Sequence, residues 1–214
     1  MKTRIGTLYR NEIIKYFDQV QASGPVLDIG CHDGELLKKI NASMKVGIDI
    51  EMKKVDEKIN FVCADANFLP FQNEIFEKVF AMDVIEHIEN DHLLPSSIHR
   101  VLSPHGSFFL TTPSKSILLF PWFLTNFISK KWGHIYRLGY TKMELEKLFS
   151  GIFHLNIYEW NAKWWRVFYL FIRSMVMISQ NFTEFIIKKI FYFDSKSQNG
   201  VRGYLIMEGL KKSG

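Results

Sequence analysis

The chain has 214 residues, which is enough for one domain with a full core, or for a domain with one elaboration. With 47% hydrophobic and 23% charged residues, its composition excludes a disordered chain and is typical of a folded protein. The net charge of +5 is mild and does not by itself select a class of partner. Charged residues interrupt the first turns, so we predict no export signal and a cytoplasmic location.

The two cysteines do not indicate a disulfide or a metal site. Cys31 and Cys63 lie in or beside apolar, strand-like runs, and their spacing does not match that of zinc ligands. We therefore predict that both are reduced thiols in the core of a cytosolic protein. No set of His, Asp and Glu residues has metal-ligand spacing either, so we predict a metal-independent protein.

Strand-like and helix-like segments alternate from the start of the chain to Pro113. Apolar residues at helical spacing predict an amphipathic helix over residues 8–22. Five short apolar runs, bounded by Gly, Pro, Asn or Asp, predict buried parallel strands. These runs are Val26–Ile29, Val46–Ile48, Phe61–Cys63, Val79–Met82 and Ser107–Thr111. The predicted crossovers are a helix at Glu35–Ile40, a short turn near Lys53–Glu57 and a helix at Asp91–Leu102. This alternation predicts an open, doubly wound sheet with a ligand crevice at the carboxyl ends of its strands.

The pattern changes after Pro113. Residues 114–140 are irregular and aromatic, and Thr141 followed by Glu144 predicts the capping box of a new helix. Two further strands are predicted at Phe153–Trp160 and Gly203–Gly209, with some forty residues between them.

The segment between these two strands is basic and aromatic. Between Ala162 and Asn199 there are six Lys and Arg residues and two acidic residues, which gives this segment a net charge of +4. Val167–Ser179 is apolar almost all round, but thirteen residues cannot span a bilayer, which takes roughly 20. A buried helix, an interfacial helix and a lid over an apolar substrate all remain open. Trp164 and Trp165, with lysines further on, favour contact of residues 160–193 with an anionic membrane surface.

The stretch from Val26 to Leu37 reads VLDIGCHDGELL, an apolar run followed by a glycine-bearing turn. A dinucleotide-binding loop would require glycine at the positions of His32 and Glu35. The missing glycines argue against a loop that holds pyrophosphate at a helix N-terminus, and therefore against a dehydrogenase.

Several segments, in the same order along the chain, resemble those of class I S-adenosylmethionine-dependent methyltransferases. The turn Asp28-Ile-Gly30-Cys-His32-Asp-Gly34 resembles their D-x-G-x-G-x-G loop, with His32 in place of the middle glycine. Histidine is among the residues that can adopt the positive φ of such a turn. The other matching segments are Val46-Gly-Ile-Asp49, Cys63-Ala-Asp65-Ala66, and Asn67 to Phe71 followed by Phe76 to Ile88, where Glu77 replaces the usual Asp.

This resemblance covers residues 9–113, and more weakly the chain up to residue 149. Within this family, the chain resembles the small-molecule type, which includes quinone, sterol and sugar methyltransferases. It implies a Rossmann-like, doubly wound, mostly parallel seven-stranded α/β sheet with helices on both faces and a final antiparallel strand. It also implies one methyltransferase domain over residues 1–214, in which residues 114–140 and 160–199 are substrate-side or membrane-facing elaborations.

The resemblance implies that S-adenosylmethionine is the cofactor. Asp49 is expected to accept hydrogen bonds from the ribose hydroxyls, and Asp65 from the adenine amine. Arg10 is expected to bond the methionine carboxylate, although a solvated helix-face charge is an equal alternative for this residue. The full set of expected cofactor-binding residues is Arg10, Asp28, Gly30, Cys31, Gly34, Asp49, Ile50, Asp65, Ala66, Met82 and Asp83.

Methyl transfer from this cofactor requires alignment and, for an oxygen or nitrogen acceptor, removal of a proton. His134 is the first candidate for the general base because relatives place substrate-contacting residues in that region. His87 is the second candidate, and packing or capping is its alternative.

The favoured reaction is methyl transfer to an oxygen, rather than a nitrogen or carbon, of a small, lipid-like or lipid-linked acceptor. A nucleic-acid methyltransferase is an alternative suggested by the charge, but no N/D-P-P-Y/F motif follows the fourth strand, where Asp83-Val-Ile-Glu86 stands. A non-catalytic module that retains the fold is a further alternative because of His32. Nothing in the sequence predicts the oligomeric state.

Overall fold

The computed structural model describes residues 4–131, 133, 136–198 and 202–212. The strands are β1 (Pro25–Ile29), β2 (Met44–Asp49), β3 (Asn60–Cys63), β4 (Phe76–Met82), β5 (Leu102–Pro113), β6 (Phe153–Trp160) and β7 (Tyr204–Lys211). The α-helices are α1 (Ile5–Tyr16), α2 (Leu94–Val101), α3 (Thr125–Lys131), α4 (Lys142–Phe149), α5 (Lys163–Met175) and α6 (Gln180–Lys196). Single 3₁₀ turns are formed by Ile85–His87, Asp91–Leu93 and Trp122–Leu124.

The seven strands form one sheet in the order β3-β2-β1-β4-β5-β7-β6. Strands β1 to β5 pair in parallel, and β7 runs antiparallel to both of its neighbours, β5 and β6. The predicted fold class is confirmed. The chain moves outward from β1 to β3 and then returns to β4 on the other side of β1. This reversal opens a crevice at the carboxyl ends of β1 and β4, where ligands of such sheets bind.

The central strands are apolar on both faces because each face is covered by helices. In β4, Val79 and Ala81 belong to one hydrophobic core, and Phe80 and Met82 belong to the other. One core joins α1, α5 and α6 to the sheet, and the second joins α2 and α4 to its opposite face. Alternate side chains of a strand point to opposite faces, so burial on both sides removes the usual polar alternation.

Several predicted boundaries are wrong. The first helix spans residues 5–16 rather than 8–22, and it ends before Asp18, which has a φ of 52°. Glu35–Ile40 is a series of turns rather than a helix, held by hydrogen bonds from Lys38 N to the Gly34 oxygen (3.1 Å) and from Lys39 N to the Leu36 oxygen (2.8 Å). The chain must reach a bridge at Asn41 directly afterwards, so this crossover has room for little more than one helical turn.

Other elements agree more closely with the sequence patterns. The Thr141–Glu144 capping box is present in both directions, and β6 has the predicted bounds. Of the predicted turn near Lys53–Glu57, residues 53–56 have no regular secondary structure, and a turn is formed only at residues 57 and 58. Both cysteines are free; Cys31 is buried, but Cys63 is exposed, because β3 is an edge strand of the sheet. The prediction that Cys63 is a core thiol is therefore wrong.

The segment between β6 and β7 folds as the helical pair α5–α6. Trp165, Tyr169 and Ile172 form the buried stripe of α5, at spacings of four and three residues. Trp165 and Ile172 are therefore core residues, and the expectation that Trp165 contributes to a membrane-facing surface is wrong. Val167, Phe168 and Phe171 remain exposed on the same helix. None of the described helices has the length and apolar character needed to cross a bilayer.

Asp194 joins this helical pair to the rest of the fold. It is fully buried on α6, and its carboxylate accepts hydrogen bonds from the Tyr9 hydroxyl (2.8 Å) and from the backbone N–H groups of Trp164 (2.8 Å) and Trp165 (3.2 Å). These N–H groups lie in the first turn of α5, whose own N-cap, Ala162, has no side-chain acceptor. Asp194 therefore caps α5 from a neighbouring helix and links both helices to α1.

Replacing Asp194 with alanine is expected to destabilise the fold strongly, because Tyr9 and the α5 N-terminus would lose their acceptor. We expect the free energy of unfolding to fall by roughly 3 kcal/mol, given about 1–3 kcal/mol for each buried donor left unpaired. Urea denaturation followed by tryptophan fluorescence measures the change. Ser195→Ala on the same helix is the control and should alter stability by no more than about 0.5 kcal/mol. Equal effects of the two variants would contradict the capping role.

Candidate active site

The glycine-bearing turn after β1 needs residues that tolerate positive φ. Gly30, His32 and Gly34 have φ values of 70°, 50° and 71°. A Cβ on Gly30 would lie 2.5 Å from Val84 Cγ2, and a Cβ on Gly34 would lie 2.6 Å from Ile59 Cδ1. Both positions therefore favour glycine for conformation, and Gly30 also for space beside Val84. His32 adopts the positive φ expected when histidine stands in place of the middle glycine.

The Asp49 carboxylate fixes the position of this turn. One of its oxygens accepts a hydrogen bond from His32 N at 3.0 Å, and the other accepts one from Glu51 N at 3.1 Å. A backbone hydrogen bond from Cys31 N to the Ile48 oxygen (2.8 Å) joins the turn to β2 next to this point. Asp49 thus organises the loop in addition to facing the cleft.

A cleft of about 550 Å³ opens at the carboxyl ends of β1 to β4. Seven of the residues predicted to bind cofactor or act in catalysis line it: Gly30, Asp49, Ile50, Asp65, Ala66, Asp83 and His87. The third strand ends close to Asp65, whose carboxylate accepts a hydrogen bond from Asn67 N at 2.8 Å. The order of the sheet therefore brings together carboxylates that are far apart in the sequence.

A smaller adjoining cavity contains four more of the predicted residues: Arg10, Asp28, Cys31 and Met82. Gly30 and His32 line both cavities. The Arg10 guanidinium donates to the Asp83 carboxylate at 2.6 Å, and the Thr111 hydroxyl donates to the other oxygen of Asp83 at 2.8 Å. Asp83 itself has a φ of 55°. Arg10 is therefore paired within the fold and is not a solvated helix-face charge.

Asp28 is almost completely buried beneath the turn, with 3% of its surface exposed. Burial raises the pKa of this carboxyl to about 8; Arg10 opposes the shift and Asp49 adds to it. A strongly perturbed, buried carboxyl beside a cleft is a feature of functional sites as well as of buried ion-pair networks.

Two residues of this region were not singled out by the sequence patterns. Glu86 is fully buried and accepts a hydrogen bond from the Thr112 hydroxyl at 3.0 Å; burial and the nearby Asp83 raise its pKa well above the usual value. Its place in the apolar run VIEHI is a signal of unusual burial. Tyr136 lines the cleft from the irregular segment after α3, and no sequence pattern indicates that placement.

The two histidines predicted as general bases have different outcomes. His87 ends the 3₁₀ turn after β4, lines the cleft, and has its Nδ1 3.0 Å from the carbonyl oxygen of Gly133. His134 lies outside the described residues.

Gly34 lies outside the lining of both cavities, and its contribution is the shape of the turn. Among the described residues, no cluster of three or more His, Cys, Asp or Glu side chains could hold a metal ion.

Comparison with known families supports this resemblance over part of the chain. Residues 27–110 match the family model described as a methyltransferase domain. The resemblance to class I S-adenosylmethionine-dependent methyltransferases is confirmed by this match.

Curated relatives and solved structures extend this similarity. Over 131 residues, the chain is 31% identical to an uncharacterized protein of Methanocaldococcus jannaschii, and the match covers 56% of this chain and 51% of that protein. Over 110 residues, it is 33% identical to the mitochondrial ubiquinone biosynthesis O-methyltransferase of Rattus norvegicus, covering 44% of this chain and 32% of that enzyme. The match thus spans about half or less of these relatives. Phosphoethanolamine N-methyltransferase 2 of Haemonchus contortus, solved with S-adenosylhomocysteine, has the same fold, with a TM-score of 0.65, 17% identity, and coverage of 95% of this chain and 52% of that one.

The stability of the protein is expected to depend on pH through Asp28. The folded-state pKa is about 8, whereas an unfolded aspartate titrates near 3.9. Between about pH 4 and about pH 8 the folded protein keeps a proton that the unfolded chain has released, so this group's contribution to stability falls as pH rises. Asn cannot be ionised, so Asp28→Asn removes this loss of stability with rising pH. The difference in free energy of unfolding between Asp28→Asn and the wild type should therefore grow, in favour of the variant, by up to about 1.4 kcal/mol per pH unit across the window.

Guanidinium denaturation of both proteins at about pH 5 and about pH 8 measures this difference. A stability difference that is the same at both pH values would show that Asp28 does not hold a proton in the folded protein.

Proposed function

We propose that this protein binds S-adenosylmethionine in the cleft at the ends of β1 to β4 and transfers its methyl group to an oxygen of a small, lipid-like acceptor. The observation that carries the proposal is the arrangement of one glycine turn and three carboxylates, Asp49, Asp65 and Asp83, around a single cleft. The match of residues 27–110 to a methyltransferase domain supports it.

The residues of the cleft fit this cofactor. Gly30 allows close approach of a ligand, because its backbone has no Cβ and adopts a positive φ. Five acidic residues line the cleft, Asp49, Glu51, Asp65, Asp83 and Glu89, against the basic residues Arg4 and Lys53. This negative balance suits a ligand with a sulfonium and an ammonium group and disfavours the pyrophosphate of a dinucleotide. Asp49 and Ile50 would hold the ribose side, Asp65 and Ala66 the adenine side, and Gly30 with Asp83 the methionine side.

When bound, the cofactor supplies an already activated methyl group. The protein then has to align the acceptor, exclude water and accept a proton from an oxygen acceptor. The Arg10–Asp83 pair holds the end of β4 in a fixed conformation and so contributes alignment. His87 lies in the cleft and is the candidate for the general base among the described residues. Its contact with Gly133 links it to the segment that follows α3.

The acceptor class is inferred from two features. The relative from Rattus norvegicus is named as an O-methyltransferase of ubiquinone biosynthesis, which favours oxygen over nitrogen or carbon. Residues 114–140 and 160–199 add exposed apolar surface to a single methyltransferase domain, which favours a lipid-like acceptor.

We place the protein in the cytoplasm, with peripheral membrane contact through residues 160–193. An acidic cleft disfavours a nucleic-acid acceptor, and a non-catalytic module would be recognised by failure to bind cofactor or transfer methyl groups.

Calorimetry with S-adenosylmethionine and S-adenosylhomocysteine tests the proposal. We expect micromolar dissociation constants, equivalent to about −8 kcal/mol. Asp49→Ala should weaken binding by roughly 1–3 kcal/mol, because it removes the expected ribose acceptor and the acceptor for His32 N. Absence of heat with both ligands, or tighter binding of NADH, would contradict the proposed cofactor.

Asp56→Ala is a matched control for this measurement. Asp56 is exposed, lies outside the lining of the cleft, and accepts a hydrogen bond from Lys58 N at 3.0 Å, much as Asp49 accepts one from Glu51 N. Its replacement removes the same local turn contact but no cleft carboxylate. An equal loss of affinity in both variants would show that Asp49 acts only through the stability of the chain.

His32→Gly is expected to keep or tighten cofactor binding. Glycine relieves the positive φ of 50° at this position, so we also expect a small gain in stability of up to about 1 kcal/mol. The same calorimetry, with thermal unfolding, measures both effects. Gly34→Ala should act in the opposite direction, because alanine is strained at the φ of 71° that this position adopts. A tenfold weaker affinity of His32→Gly, about 1.4 kcal/mol, would instead indicate a direct contact by the imidazole.

A further inference from the structure

A short segment after β5 exposes an unusual number of large apolar side chains. Trp122 is 68% exposed and Phe123 is 72% exposed in the 3₁₀ turn that precedes α3, and Phe120 and Phe127 are more than half exposed on either side. We call residues 118–131 the aromatic segment. Its inner side is anchored, since Leu119 and Ile128 are buried in the core that contains α1 and α5. The exposed rings therefore belong to an ordered element fixed on the fold.

The aromatic segment is joined directly to α5. Phe120 N donates to the Arg166 carbonyl oxygen at 3.2 Å, and the Arg166 guanidinium donates to the Leu118 carbonyl oxygen at 2.8 Å. Helix α5 adds the exposed side chains of Phe168 and Phe171. The two elaborations that interrupt the sequence at different places thus contribute to one structural unit on the same side of the sheet.

The charge of this unit differs from that of the rest of the chain. Residues 114–140 and 160–199 contain 10 of the 27 Lys and Arg residues and 2 of the 22 Asp and Glu residues, so they carry +8 while the remainder carries −3. One of the two acidic residues, Asp194, is buried as a helix cap. Several cations lie over aromatic rings: Lys131 Nζ is 4.5 Å from the Phe127 ring centre, and Lys189 Nζ is 5.6 Å from that of Phe185.

The position of the aromatic segment relates it to the cleft. Helix α3 begins directly after the exposed Trp122–Leu124 turn and ends at Lys131. Two residues later, the Gly133 carbonyl oxygen lies 3.0 Å from His87 Nδ1, and Tyr136 lines the cleft. The chain therefore passes from the exposed rings to the edge of the cleft within fifteen residues.

We propose that the aromatic segment, together with the exposed face of α5, docks on the surface of an anionic lipid bilayer. Tryptophan and phenylalanine with adjacent lysines are suited to the boundary between headgroups and acyl chains, and each nearby lysine adds attraction to anionic lipid. A second copy of this chain would bring two basic segments together, which disfavours self-association through the same face. The proposal extends the proposed function by naming the surface from which a lipid-like acceptor would reach the cleft.

Vesicle co-sedimentation of the full chain tests this proposal. The vesicles are phosphatidylcholine alone and phosphatidylcholine mixed with phosphatidylglycerol, at low and at high salt. We expect the wild type to bind the anionic vesicles and to dissociate as salt rises. Trp122→Ser/Phe123→Ser should weaken binding by about tenfold or more. Lys130→Ala/Lys131→Ala should weaken binding to anionic vesicles by a similar factor and leave any binding to neutral vesicles within about twofold.

Met143→Ser is the matched control, because Met143 is 78% exposed on α4, outside both elaborations. It should bind anionic vesicles like the wild type. Circular dichroism and the affinity for S-adenosylhomocysteine establish that each variant is folded. Lipid binding and cofactor binding are measured separately. A failure of the docking proposal can therefore be distinguished from a failure of the proposed function.

Three results would overturn the docking surface. The first is wild-type protein that stays in the supernatant with anionic vesicles at low salt. The second is equal binding by the Trp122/Phe123 variant and the Met143 control. The third is a wild-type dimer, seen in sedimentation velocity, that is lost in the Trp122/Phe123 variant although this variant still binds vesicles like the wild type. That result would assign this face to a second copy of the chain.

Discussion

The site depends on how one carboxylate holds one backbone turn. Asp49, at the end of β2, accepts hydrogen bonds from the N–H groups of His32 and Glu51, and so ties the loop after β1 to the loop after β2. The first loop can accept this constraint because Gly30 and Gly34 adopt positive φ without a clash. Because β4 lies on the other side of β1, the same turn also forms one wall of the cleft that Asp83 and His87 line.

The electrostatics of the cleft follow from the direction of the strands. Parallel strands end at the same edge of the sheet, so a carboxylate after each strand produces a concentration of negative charge there. The fold compensates part of this charge internally, because Arg10 pairs with Asp83 and Asp28 is buried with a raised pKa. What remains faces the cleft and favours a ligand with positive groups. The local charge is therefore opposite in sign to the net charge of +5 carried by the whole chain.

The helical pair between β6 and β7 combines two roles on its two faces. Its inner face is part of the core, with Trp165 and Ile172 buried and Asp194 capping α5 from α6. Its outer face and the adjoining aromatic segment remain apolar and basic. An insertion that only completed the layer of helices would need the first face alone. The second face is the reason to seek a partner for this side of the molecule.

The sequence by itself determined the succession of strands along the chain and several of the polar residues that line the cleft. Short apolar runs that end in Asp28, Asp49 and Asp65 are local signals, and parallel pairing brings such ends to one edge. Local patterns did not predict where α1 ends or that Glu35–Ile40 forms turns instead of a helix. Both features depend on the distance that each connection between elements has to cover. Nor could they separate the core side of α5 from its exposed side, place Tyr136 in the cleft, or pair Arg10 with Asp83. These features follow from contacts between residues distant in sequence, such as the one between Asp194 and Tyr9, and only the packed tertiary structure specifies those contacts.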